Sequence, residues 1–257
     1  MAKVYYVGDW GVGLGPLFVE TPFNYAWKGL DMYYYGRWLK EALESSGRHE
    51  VADVPTWEFY NLPPGAYEKI LATYDVLIFS DVEAKNFQLH PQFFDRSKLG
   101  TRVLTFPDRI RLTIEAVTAG KRAMFLGGWL SFTGELGKGG WNRTRLKEIL
   151  PVQCLDHDDL VESTEGFTAE PTPGRAFSGV DLASFPPILG YNKVLPRDRC
   201  DVLLRVKETG DPLVTVGTFG KGKTLAYMSD PAPHWGCNFV CWQHYGAFWL
   251  KCLDAIL

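Results

Sequence analysis

The sequence predicts an α/β fold built on a mostly parallel central sheet, with extra antiparallel strands in the C-terminal half. Three observations predict it. Short apolar runs recur at Lys3 to Val7, Glu50 to Pro55, Asp75 to Ser80 and Arg122 to Leu126, each of strand length. Stretches with helical spacing separate them, and helical crossovers between apolar strands belong to parallel sheets. Beyond residue 150 the alternation gives way to short, proline-rich segments. No linker divides the chain and no repeat recurs, so one domain over residues 1–257 is expected.

The elements follow in order. Lys3 to Val7 ends in Gly8-Asp9, a strand entering a loop that stays rich in glycine and proline through Pro22. Lys28 to Ser46 has helical spacing: Leu30, Tyr34, Trp38, Leu39 and Leu43 share a face, and Gly47 is a stop. Glu50 to Pro55 reads as the second strand. Leu62-Pro63-Pro64 breaks the chain before a short helix over Ala66 to Thr73. Asp75 to Asp81 is the clearest buried strand, an apolar run flanked by acids. Ile110 to Ala119 reads as a helix ended by Gly120, and the strand Arg122 to Leu126 runs into Gly127-Gly128. Leu213 to Val216 and Thr224 to Met228 are strands joined by a turn at Gly220 to Lys223. Phe239 to Leu257 reads as a final amphipathic helix.

Composition narrows the function classes. The chain of 257 residues is 46% hydrophobic and 22% charged, with a net charge of −3. These proportions are those of a globular domain, and there is no global basic field to attract nucleic acid or anionic lipid. No run approaches the roughly 18–20 apolar residues that span a bilayer. The N-terminus reads as a strand rather than a leader, so a cytoplasmic location and no membrane partner are expected. Five cysteines, an odd number without framework spacing, fit a reducing compartment. Nine Trp, twelve Tyr and sixteen Phe either pack the core or form a self-association surface, which makes a homo-oligomer the expected assembly.

Several motifs carry chemistry on paper. Gly217 to Thr224 fits the P-loop pattern, but Leu225 to Met228 after it reads as a strand where phosphate binding needs a helix; a hairpin turn is expected. Gly11-Val12-Gly13-Leu14-Gly15-Pro16 hints at a dinucleotide loop, yet Pro16 takes a glycine position and Pro22 falls where the helix should run. No cofactor is expected. Cys237, Cys241 and His244 would share one face of a helix, with His234 in reach, a donor set suited to zinc; packing of small apolar cysteines is the alternative. Asp156 to Glu162 is an acidic cluster that either holds a hard cation or forms a solvated turn.

Ligands of open α/β sheets bind beyond the carboxyl ends of the strands. Asp9, Asp81, Gly127, Gly128 and Asp230 all follow predicted strand ends. Asp230 near His234 could orient an imidazole for acid–base work, or it could cap a turn beside a core histidine.

The segment Phe125-Leu126-Gly127-Gly128-Trp129-Leu130-Ser131-Phe132-Thr133-Gly134 reads as a strand turning sharply into a helix, a nucleophile-elbow arrangement. With Leu77 to Val82, Leu89-His90-Pro91, Leu150-Pro151-Val152, Asp158 to Glu162, Leu189 to Asn192 and Ser229 to Trp235, it resembles the class I glutamine amidotransferase-like family of uncharacterised cytoplasmic proteins, nearly end to end. The resemblance implies a flavodoxin-like three-layer sandwich. It also implies a cysteine at the elbow and a histidine after the last core strand. Trp129 stands at the elbow here, and sliding the alignment by two places Ser131 there. Neither an indole nor its neighbours can replace the thiolate. Cys154, the nearest cysteine in sequence, is more than twenty residues on, and Cys237, near His234, is the one thiol that could substitute. The expected reading is a family member without glutaminase activity. It would bind a small ligand among Asp9, Asp81, Gly127, Gly128, Trp129, Asp230 and His234, or act as an oligomeric scaffold. The rivals are a hydrolase or amidotransferase using Ser131 or Cys237 with His234, and a metal enzyme on His234, Cys237, Cys241 and His244.

Overall fold

The computed structural model describes residues 1–14, 19–20, 25–26, 30–174, 177 and 179–257. Eight strands form the central sheet: β1 (Ala2–Gly8), β2 (His49–Val54), β3 (Val76–Ser80), β4 (Arg122–Leu126), β5 (Ala169–Pro171), β6 (Cys200–Val206), β7 (Pro212–Phe219) and β8 (Gly222–Tyr227). Their order is β5-β6-β7-β8-β4-β3-β1-β2. The pairs from β8 through β4, β3 and β1 to β2 are parallel. Those from β8 through β7 and β6 to β5 are antiparallel. Every residue of β3 is buried, which is why its sequence is a continuous apolar run rather than an alternating one.

Six α-helices accompany the sheet among the described residues: α1 (Arg37–Glu44), α2 (Thr56–Tyr60), α3 (Ala66–Thr73), α4 (Ala84–Gln88), α5 (Arg109–Ala119) and α6 (Tyr245–Ile256). α1 packs on α6, whereas α5 packs on α3 and α4. α5 starts where the Asp108 carboxylate accepts hydrogen bonds from the N–H groups of Ile110 (2.9 Å) and Arg111 (3.3 Å), a side-chain N-cap. It stops at Gly120, whose φ of 130° disfavours any side chain.

Strand register positions the loops. Gly8 pairs with Ser80, Ser80 with Leu126, and Leu126 with Tyr227. The carboxyl ends of β1, β3, β4 and β8 therefore finish level, and the loops beginning at Asp9, Asp81, Gly127 and Met228 leave along one line.

The structure corrects four expectations. Leu30–Tyr34 is a strand, paired antiparallel with Trp10–Leu14, and the helix starts only at Arg37. The Tyr33-Tyr34-Tyr35 run favours extended backbone, and Tyr34 stacks on Trp10 with ring centroids 4.1 Å apart. Lys28, where that helix was expected to begin, lies outside the described residues, as do Gly15, Pro16 and Pro22. The last helix starts at Tyr245 rather than Phe239. Side-chain bonds from Asn238 to the Pro187 carbonyl (2.9 Å) and from Trp242 to Ser184 (3.0 Å) hold the preceding segment in turns. Trp10–Leu14, expected in the glycine-rich loop after the first strand, is itself a strand. The P-loop lookalike is a hairpin, but tighter than expected: Phe219 pairs with Gly222 and Thr218 with Lys223, leaving Gly220 and Lys221 at the turn.

Candidate functional site

The site grows from the four loops at the level strand ends. Asp9 follows β1 with φ 53°, and Asp81 follows β3 with the same φ. This left-handed backbone costs an ordinary side chain energy but suits Asp and Asn. The Asp9 carbonyl is held by the N–H groups of Tyr35 (2.9 Å) and Gly36 (3.0 Å). Its carboxylate accepts from Ser80 (3.0 Å) and from the Tyr6 hydroxyl. Burial pushes the Asp9 carboxyl up to about 7; Asp230 adds to the rise, and the Tyr6 and Ser80 bonds and His234 oppose it.

Asp81 Oδ1 accepts from the Leu130 N–H at 2.5 Å. Burial and the neighbouring Asp230 hold its carboxyl well above the usual range. Asp230, after β8, is 1% exposed, and neither of its carboxylate oxygens has a hydrogen-bond partner among the described residues. His234 Nδ1 lies 3.6 Å from Asp230 Oδ2, a close ionic contact rather than a hydrogen bond. Asp230 raises the His234 imidazole; burial opposes that, and Asp81 and Asp9 reinforce it.

Gly127 and Gly128 let these groups meet. A Cβ on Gly127 would fall 2.6 Å from the Met228 backbone. A Cβ on Gly128, where φ is 139°, would fall 2.5 Å from Asp81 Oδ1 and 3.0 Å from Asp230 Oδ1. The two carboxylates thus converge over the Gly128 Cα.

Trp129 follows, 41% exposed, with its indole stacked on His234 at 4.6 Å between centroids. Tyr35 meets His234 edge-on at 5.4 Å. His234 itself has φ 136°, so three of the four titratable residues here have backbone conformations that L-residues seldom adopt, a concentration typical of functional sites. His234 lines two clefts. One, of about 420 Å³, is lined by Asp9, Trp10, Tyr33, Tyr35 and Asp81. The other, of about 430 Å³, is lined by Trp129, Glu162, Thr164, Leu189 and Trp235.

The segment after Gly128 is not the helix the elbow pattern suggested; bends and short 3-10 turns follow. A buried polar network holds it instead. Asn192 accepts from the Gly128 N–H (2.9 Å) and donates to the Gly128 carbonyl (3.0 Å) and to Asp159 (2.9 Å). Asp159 accepts from the N–H groups of Thr133 (2.9 Å) and Gly134 (3.0 Å). Burial pushes the Asp159 carboxyl up to about 6, against the pull of those bonds. The acidic cluster is therefore divided. Asp156 and His157 are exposed, Asp158 holds the Leu136 and Leu160 N–H groups, and Asp159 anchors the loop. Glu162 accepts from the indoles of Trp235 (2.7 Å) and Trp129 (3.4 Å).

Other predicted residues fall elsewhere. Ser131 is fully buried; its hydroxyl donates to the Leu126 carbonyl (2.6 Å) and accepts from the Asp81 N–H (3.1 Å). Cys237 and Cys241 are exposed, and the Cys241 thiol faces the Cys237 carbonyl at 3.8 Å. Because α6 begins after His244, the helix face that would have aligned Cys237, Cys241 and His244 does not exist, and no group of three His, Cys, Asp or Glu among the described residues could hold a metal ion. Sequence reasoning missed Tyr35, Asp159, Glu162 and Asn192 as site residues. Two of the segments that carry the family resemblance, Asp158 to Glu162 and Leu189 to Asn192, contained three of them.

A strand–Gly-Gly turn meeting a histidine beyond the last parallel strand belongs to an α/β protein with the arrangement that the glutamine amidotransferase-like resemblance implies. Residues 27–257 match the family described as "Putative glutamine amidotransferase", and the chain belongs to that family. It is similar to two solved structures from Salmonella typhimurium, the cytoplasmic proteins STM3548 and STM1381. Each is 30% identical with a TM-score of 0.84, over 99% of this chain and 98% and 99% of theirs. A cold-adapted β-galactosidase from Rahnella sp. R3 shares the fold alone, at 14% identity and a TM-score of 0.52, over 99% of this chain and 30% of that one. No curated protein matches.

Proposed function

We propose that this chain is a family member without glutaminase activity that binds a small ligand at the carboxyl ends of β1, β3, β4 and β8. One observation supports the reading: Trp129, directly after Gly127-Gly128, packs on His234 where a nucleophile at this turn would need the imidazole. An indole N–H can donate a hydrogen bond but cannot attack a carbonyl. The neighbouring N–H groups of Gly128 and Leu130 are taken by Asn192 and Asp81, so they are not free to stabilise an oxyanion.

The alternative, a hydrolase or amidotransferase using Ser131 or Cys237 with His234, finds less support. Both hydrogen-bonding roles of the Ser131 hydroxyl are filled by backbone. Two groups of helices packed about one sheet support the flavodoxin-like layering, and a sheet drawing strands from residue 2 to residue 227 supports a single domain. The names of the two Salmonella relatives support a cytoplasmic location.

The test is ammonia release from glutamine by the purified protein. The expected rate equals that of buffer, and Trp129→Cys alone does not raise it. Ammonia release by the unmodified chain that is lost in Cys237→Ala would replace this reading with the enzymatic one.

A further inference from the structure

We propose that the cleft bounded by Asp9, Asp81, Tyr33, Tyr35 and His234 takes a small organic ammonium ion. The inference rests on the small-ligand reading above and names its chemical class.

Charge is the first argument. Three carboxyl groups, of Asp9, Asp81 and Asp230, meet one imidazole, and no Lys or Arg is among the described lining residues of the cleft. Among the described residues, Asp9 and Asp81 accept hydrogen bonds from neutral donors only. Asp230, behind them, is the independent sign: it is 1% exposed, neither carboxylate oxygen has a hydrogen-bond partner among the described residues, its ionic contact is with His234 at 3.6 Å, and it converges with Asp81 over Gly128. Buried carboxylates that share a single imidazole are costly. An anionic ligand would worsen that balance and a neutral one would leave it. A cation beside Asp9 and Asp81 supplies the missing counter-charge.

The walls are the second argument. Tyr33 and Tyr35 stack with ring centroids 5.7 Å apart and planes 3° from parallel, and Trp10 lines the same cleft. Aromatic faces attract cations within about 6 Å. Aromatic walls over a carboxylate floor recognise an ammonium head carrying an apolar substituent. The cleft volume of about 420 Å³ lies in the range for small-molecule sites. A bare metal ion is the poorer occupant, since no cluster of three donors among the described residues is close enough to hold one.

Calorimetry with phenethylammonium, butylammonium and tetramethylammonium chlorides, against 2-phenylethanol and phenylacetate, tests this. The expected result is one-to-one binding of at least one ammonium probe, with both isosteres about tenfold or more weaker. Asp81→Asn and Asp9→Asn should each weaken the ammonium about tenfold or more, the range for a lost charge-assisted hydrogen bond. Asn tolerates the left-handed backbone at both positions, and circular dichroism verifies that each variant is folded; if one is not, the other decides. Absence of binding by every ammonium probe at millimolar concentration overturns the proposal, as does undiminished binding in the folded variants. Equal binding of 2-phenylethanol or phenylacetate that is lost in Tyr35→Leu overturns the ammonium class and leaves the small-ligand reading standing. Ammonia release from glutamine, measured on the same preparation, sinks that reading instead.

Discussion

Gly128→Ala tests the convergence of carboxylates on which the site depends. Two costs arise. The first is backbone strain at φ 139°, of order 1–3 kcal/mol for a residue held in a sparsely populated region. The second is collision: the new Cβ would lie 2.5 Å from Asp81 Oδ1 and 3.0 Å from Asp230 Oδ1. Asp81 cannot retreat without losing the Leu130 N–H, so an overpacking cost of about 1–3 kcal/mol follows. Gly120→Ala separates the two. Its φ of 130° brings similar strain, but the nearest heavy atom to a Cβ there is Lys221 Cβ, at 3.8 Å. Gly120→Ala should then cost about 1–3 kcal/mol and Gly128→Ala about 2–6 kcal/mol. For a chain of this size 1 kcal/mol shifts the melting temperature by about 2–4 °C, so Gly128→Ala should melt roughly 2–12 °C below Gly120→Ala. Thermal unfolding followed by circular dichroism reads this directly. Equal melting temperatures would refute the claim that the two carboxylates crowd Gly128.

Other outcomes are equally open to measurement. Asp9, with its carboxyl raised to about 7 by burial and by Asp230, and faced by Tyr6, Ser80, Asp81 and His234, contributes stability that is fully present below the unfolded-state value of about 3.9 and is lost as pH rises through about 7. The raised Asp81, Asp230 and His234 act in the same direction, so the denaturant midpoint should fall from about pH 4 to about pH 7. Asp9→Asn should flatten that slope; an unchanged slope would place the titrating groups elsewhere. Asn192→Ala strands the buried Gly128 N–H and removes the amide bonds to the Gly128 carbonyl and to Asp159, which keeps the Thr133 and Gly134 N–H groups, and should cost about 2–4 kcal/mol in urea unfolding, a loss under about 1 kcal/mol showing that the network is not what holds the loop. ATP with magnesium should give no thermal shift, because Gly217 to Thr224 spans a hairpin; stabilisation that vanishes in Lys223→Ala would contradict this.

Local information accounts for what sequence reading reached. The strand at Arg122–Leu126 and the helix at Ala66–Thr73 were legible to the residue, because continuous apolar runs and helical spacing are properties of neighbouring residues. The hairpin at Gly220 was legible because a strand followed the Lys-Thr pair where phosphate binding needs a helix. Where aromatic residues satisfied both periods, local reading failed. Leu30–Tyr34 could have continued a helix, and only its pairing with Trp10–Leu14 selects the strand. The start of α6 was misplaced for a similar reason, since the bonds from Asn238 and Trp242 reach residues more than fifty positions away.

By itself, the sequence determined an α/β chain with strands ending near Val7, Ser80 and Leu126, a histidine four residues after Asp230, and a tryptophan directly after Gly127-Gly128. These follow from apolar periodicity and residue identity. Tertiary structure decided how closely the expected pocket residues Asp9, Asp81, Asp230 and His234 approach one another, because the register pairing Gly8 with Ser80, Ser80 with Leu126 and Leu126 with Tyr227 sets the strand ends level. It also decided that Ser131 is a buried anchor and that Asn192 and Asp159 hold the Gly128 loop. Each of those roles depends on hydrogen bonds between residues 25 to 64 positions apart, separations that no local pattern encodes.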